Sequence, residues 1–120
     1  MLFAFAIGDL VKASRMNHPF GRSGHFLLVN NVNNERKIIR NPYSETLDDA
    51  GIQTSQLLIE NNVDIIMVNQ IGNNAMRVLN SAGIKVYRFE GSEIDTALKL
   101  FEAGKLMEAS PEGVAASVDD

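Results

Sequence analysis

Residues 64–89, DIIMVNQIGNNAMRVLNSAGIKVYRF, carry the alternation that decides the fold. Asp64 to Asn69 (DIIMVN) is a short apolar run, with the length and branched side chains of a strand buried on both faces. Gln70-Ile71-Gly72-Asn73 turns the chain. Ala75, Val78, Leu79 and Ala82 then recur at i, i+3, i+4 and i+7, the spacing of one helix face. Gly83 stands where a helix ends in the left-handed region, and Ile84 to Phe89 (IKVYRF) is the next strand. Such a unit predicts two parallel strands joined by a right-handed crossover.

Outward from this unit the same reading continues. Leu2 to Ile7 is a buried strand, ended by Gly8 and Asp9. His25 to Asn30 (HFLLVN) and Glu35 to Arg40 (ERKIIR) form a hairpin across Asn31–Asn34, since Asn tolerates left-handed angles. Asn41-Pro42 breaks the chain. A helix from about residue 50 has Asp48 or Asp49 as its N-cap. Its expected apolar stripe is Ile52, Ile59 and Val63, flanked by Leu57 and Leu58. A third helix carries Ile94, Ala97, Leu98 and Phe101. Ser92 with Asp95 resembles a capping box before it, and Gly104 ends it. The domain is expected to span 1–106, with 107–120 as a loose tail. The order β-β-β-α-β-α-β-α predicts an α/β fold. Its mixed five-stranded sheet has order 3-2-1-4-5, with strand two antiparallel to its neighbours and helices on both faces.

The 120 residues make one ordinary domain, and 45% apolar with 22% charged residues excludes a disordered or fibrous chain. No cysteine means no disulfide framework, no thiolate metal site and no cysteine nucleophile, and it fits the cytoplasm. The first apolar run is far shorter than the ~20 residues of a membrane span, so no membrane role is expected. A net charge of −4 argues against general nucleic-acid binding. The phosphate-loop, dinucleotide and nucleophile-elbow patterns are absent. Met67 and Met76 read as core filler.

In open α/β sheets ligands collect at the carboxyl ends of parallel strands. The topology sends the loops 9–24, 41–49 and 69–73 to that edge, where the helices at about 50 and 73 also begin. Their free amides and dipoles favour an anion. Lys12, Arg15 and Arg22 against Asp9 reverse the local charge, with His18 beside them. The 9–24 loop has few apolar anchors and is expected to open easily. His18 is the best metal-ligand candidate by chemistry, whereas His25 reads as packing at the sheet end. Asp9 invites comparison with the metal-binding carboxylate of two-metal nucleases, but Asp64 falls at the wrong edge and Asp48 and Asp49 lie in a loop.

HPFGRSGHFLLV (18–29), then Asn41-Pro42, then AGIQTSQLLIENNVDIIMVNQIGNNAMRVLNSAGIKVY (50–87) closely resembles the dinitrogenase iron–molybdenum cofactor biosynthesis family. That family includes nitrogenase accessory proteins that carry cofactor precursors and small orange proteins that hold a molybdenum–copper sulfide cluster. The similarity spans about residues 2 to 106 and implies a ribonuclease H-like motif. It also implies a small non-enzymatic carrier of a metal–sulfur cluster or its precursor, containing molybdenum with iron or copper and not covalently bound. Cluster-assembly or acceptor proteins are the partners implied.

Phe20-Gly21-Arg22 matches the family's F-G-R, and Gly72, Asn73 and Asn74 fall on its I-G-P-N-A, where an Asn replaces the Pro. Together with Lys12, Arg15 and His18 these residues form the expected binding set, with His18 the expected metal ligand. Pro19 displaces His18 by one position, and Tyr43–Asp49 lacks the Gly- and His-rich loop of many relatives. An interaction module that kept the scaffold and lost the cluster is therefore the rival reading. With no thiolate, affinity is expected to rest on charge more than on one ligand, so Arg15 and Arg22 should matter more than His18.

Overall fold

The computed structural model describes residues 1–7, 20–46, 49–91 and 93–109. The strands are β1 (Leu2–Ile7), β2 (His25–Asn30), β3 (Arg36–Arg40), β4 (Ile65–Val68), β5 (Lys85–Arg88) and β6 (Met107–Ala109). The helices are α1 (Ala50–Glu60), α2 (Asn73–Ser81) and α3 (Ile94–Glu102), with a 3₁₀ turn at Phe20–Arg22. Among the described residues the sheet runs β3-β2-β1-β4-β5-β6. β2 is antiparallel to β1 and β3, while β4 lies parallel to both β1 and β5.

The expected order 3-2-1-4-5 is thus present and gains one edge strand. Met107–Ala109, assigned to the tail by the sequence reading, pairs antiparallel with Val86–Arg88. Three residues of mixed polarity carry no period of their own. This strand exists because Gly104, at φ 71°, returns the chain alongside β5.

The alternation along β1 divides the core. Ala4 and Ala6 face one side, where α1 and α2 pack, and their small size leaves room for both helices. Phe3, Phe5 and Ile7 face the other side, where α3 covers them with Ile94, Ala97 and Phe101. Phe3 meets Phe101 edge to face at 5.0 Å, and Tyr87 meets the same ring at 5.1 Å. Each such buried ring contributes roughly 1.5–3 kcal/mol through burial. Met67 and Met76 are fully buried in these two clusters, as core filler should be.

Local signals differ in two places. In α1 the buried positions are Ala50, Thr54, Ser55 and Leu58; of the expected stripe, Ile59 packs against the core and Val63 is buried beyond the helix end, whereas Ile52 is half-buried and outside both clusters. Thr54 and Ser55 tolerate burial because each hydroxyl has a partner, Asn41 for Thr54 and the Gly51 carbonyl for Ser55. In α3 the N-cap is Glu93, not Ser92, and Asp95 pairs instead with Arg36 of β3 at 2.7 Å. Ser92 itself lies outside the described residues. The helix stops are as expected, with Gly83 at φ 81° just after α2.

Candidate functional site

The carboxyl ends of β1, β3, β4 and β5 share one sheet edge, and a cleft of about 810 Å³ opens there. Its walls come from the 3₁₀ turn (Phe20, Gly21, Arg22), the start of α1 (Asp49 to Ile52), the loop after β4 with the start of α2 (Gln70 to Ala75), and Arg77 and Arg88. The three segments meet through small residues. A Cβ on Gly21 would stand 2.9 Å from both the Cα and the N of Gly51, and one on Gly51 would stand 3.2 Å from the Ala75 methyl. Backbone therefore packs directly on backbone at the cleft floor. The Phe20 amide adds a hydrogen bond to the Gln70 carbonyl at 3.2 Å, and the Phe20 ring is buried against Phe26. Gly21→Ala is expected to destabilise the fold by about 2 kcal/mol, since backbone cannot yield as a side-chain tip does. Thermal denaturation checks it, with Gly51→Ala, opposed only by a methyl, as the milder comparison.

A buried polar network holds the other rim. Asn41 is 2% exposed. Its Nδ2 donates to the Ser23 carbonyl (2.8 Å) and to Thr54 Oγ1 (3.1 Å), and its Oδ1 accepts from the Tyr43 amide (3.1 Å). Ser23 Oγ is 2.7 Å from the carbonyls of both Ile7 and His25. One side chain thus ties the segment before β2, the loop after β3 and α1 together. Arg22 reaches that loop as well, donating from Nη1 to the carbonyls of Thr46 (2.5 Å) and Ser44 (3.3 Å).

The electrostatics of the cleft favour an anion. Among the described residues, Arg22, Arg77 and Arg88 line it against one carboxylate, Asp49, in a chain of net −4. Arg77 and Arg88 have no ion-pair or side-chain hydrogen-bond partner among the described residues. Both helix starts are uncapped by side chains. The N-cap of α2 is Gly72, and the N-cap of α1, Asp49, makes no side-chain cap bond. Neither helix has an acidic residue in its first turn. The positive dipole ends of both helices thus lie at the cleft without a side-chain cap, although the Gly51 amide is packed close to Gly21.

Of the sequence-predicted set, Phe20, Gly21, Arg22, Gly72, Asn73 and Asn74 are brought together in this one cleft. Lys12, Arg15 and His18 lie outside the described residues, as do Asp9 and Asp48. His25 is not in the cleft wall. It stands in register with Ile7, which faces the α3 side of the sheet, and its buried Nδ1 has no partner. Asp64 is at the far edge and accepts the Leu2 amide at 2.8 Å. Among the described residues no three His, Asp or Glu side chains cluster as a metal site. Sequence reasoning missed Arg77 and Arg88. Their signals were position alone, one turn into α2 for Arg77 and the carboxyl end of β5 for Arg88.

A ribonuclease H-like α/β scaffold with a cationic cleft at the strand ends is the class that this fold and site define. Residues 1–104 match the family model described as dinitrogenase iron-molybdenum cofactor, and the chain belongs to that family. An uncharacterised protein of Methanocaldococcus jannaschii is 33% identical over 96 residues, covering 78% of this chain and 81% of its own. Among solved structures, the apo form of the orange protein from Desulfovibrio gigas is similar at a TM-score of 0.82 and 26% identity, over 90% of this chain and 92% of its own. A Thermotoga protein of the DUF35 family is similar at 0.74 and 26%, over 89% and 91%. No helix among the described residues is long and apolar enough to cross a membrane.

Proposed function

We propose that the chain is a small non-enzymatic carrier that holds an anionic metal–sulfur cluster, or a precursor of one, in this cleft and passes it on unchanged. The observation that carries the reading is the convergence of three arginines and two uncapped helix starts on one open site. The family's description, dinitrogenase iron-molybdenum cofactor, supports a molybdenum-containing anion, and the proposed cargo is molybdenum with iron or copper and sulfide. Such a cluster brings its own sulfide ligands, so guanidinium and backbone N–H groups suffice to grip its outer surface. Lys12, Arg15 and His18 precede Phe20 directly in the chain and are proposed to add charge and one nitrogen ligand. Asn73 and Asn74 offer amides at the α2 start, and Phe20 and Gly21 fix the floor. A carrier of this kind works in the cytoplasm, between a cluster-assembly protein and an acceptor.

The test is anaerobic reconstitution with tetrathiomolybdate, alone and with copper or iron–sulfur precursors, followed by absorption spectroscopy and elemental analysis. Uptake that survives desalting at low salt is the expected result, and no uptake of any of the three overturns the reading. Gly72→Asp sharpens it. Gly72 has φ −79° and ψ 161°, ordinary for an N-cap, and a Cβ there meets nothing within 4 Å. An aspartate would cap α2 and hold or raise stability by a few tenths to about 1 kcal/mol. The same carboxylate would occupy the anion position, so binding is expected to weaken more than tenfold while the melting temperature does not fall. Unchanged binding would place the cargo elsewhere.

A further inference from the structure

Among the described residues, Asp49 is the one acidic side chain lining a cleft otherwise walled by cations and neutral groups. At an N-cap, aspartate usually adopts extended backbone and spends its carboxylate on the helix amides. Here the backbone is left-handed, φ 60° and ψ 23°, and the side chain makes no cap bond. The carboxylate has no ion-pair or hydrogen-bond partner among the described residues, although three arginines line the same cleft. Its charge is therefore not absorbed by α1, and no described residue cancels it by an ion pair. It stays in the field that any anionic cargo must enter.

Resting on the carrier reading, we propose that Asp49 is the release-setting residue of the cleft. It is a fixed counter-charge that limits how tightly the arginines hold a polyanion. Three guanidiniums and two helix starts with nothing opposing them would make a trap, whereas a carrier must let go. The repulsion between Asp49 and the cargo acts at the contact range of the site and is screened by salt. It grows with the negative charge of the cargo, so a dianion should feel it more than a monoanion.

Equilibrium titration with tetrathiomolybdate tests this on the full chain, using Asp49→Asn and Asp49→Gly. Asn and Gly both accept left-handed backbone, so neither variant asks the loop to move. Both are expected to bind about three- to tenfold more tightly than wild type at low salt, mainly through slower release. The gap should close near 1 M salt. Binding by the variants alone, with wild type too weak to measure, is the same result in stronger form. If wild type binds and both variants bind equally or more weakly, the proposal is overturned while the carrier reading stands. If only Asp49→Gly tightens, backbone freedom and not charge is responsible, and the proposal is overturned. If no protein binds tetrathiomolybdate and reconstitution with copper or iron–sulfur precursors also fails, the carrier reading falls and takes this proposal with it.

Discussion

Arg77→Gln combined with Arg88→Gln is expected to weaken tetrathiomolybdate binding by roughly 100-fold at low salt. Neither arginine is held by a partner among the described residues, so both are free to face an anion, and removing them leaves no orphaned carboxylate behind. Opposite charges at 4 Å interact by about 1 kcal/mol in bulk water and more in a partly enclosed site. A dianion doubles this and a larger separation reduces it, so two arginines about 6 Å from its centre account for about 3 kcal/mol in water, with tenfold for each 1.4 kcal/mol. The fold should not notice, because both side chains are exposed and lie outside the two cores. In rising salt the wild type should approach the variant, as the Debye length falls from ~10 Å at 0.1 M to ~3 Å at 1 M. Equal binding by variant and wild type at low salt would remove these two residues from the site.

Asn41→Ala is expected to cost about 3 kcal/mol of stability and to lower the melting temperature by about 10 °C. The loss exceeds that of one hydrogen bond because two buried groups, the Ser23 carbonyl and the Thr54 hydroxyl, and the half-buried Tyr43 amide lose their partner together. Asn41→Asp should not rescue it. A carboxylate can still accept from Tyr43, but it turns an oxygen toward the Ser23 carbonyl and buries a charge. Calorimetry on both variants checks the claim, and an aspartate variant as stable as wild type would refute this account of the network. Cargo binding should fall as well, since the rim loses its tie to α1.

The contrast between α1 and α2 shows what the sequence made legible. The α2 period was readable because its buried residues, Ala75, Met76 and Leu79, are apolar and the Gly83 stop is local chemistry. The α1 face was only partly readable, through Leu58, Ile59 and Val63, because it also buries Thr54 and Ser55, whose burial depends on partners distant in sequence or on a helix carbonyl. Strand β6 was invisible for a related reason, since pairing with β5 defines it and composition does not. The edge of the sheet that bears the cleft followed from strand directions alone, and Phe20–Arg22 and Gly72–Asn74 duly meet there. The contributions of Arg77, Arg88 and Asp49 depend on how far two helices and one strand end converge, which no local pattern encodes. Asn41 was legible as a chain breaker before Pro42 but not as a hub, because its partners span residues 23 to 54.

The cleft floor, where Gly21 rests on Gly51 and Gly51 on Ala75, is also a seam in the chain. Arg22 belongs to the antiparallel first half, and Arg77 and Arg88 belong to the strand–helix repeats of the second. A ligand gripped by all three would add one more bridge between two stretches of sequence that already meet through the β1–β4 ladder, both cores and the Arg36–Asp95 pair. On the proposed function, occupancy would act as a rivet: cargo bound only by the folded chain would add to its stability, so resistance to unfolding would rise with the load.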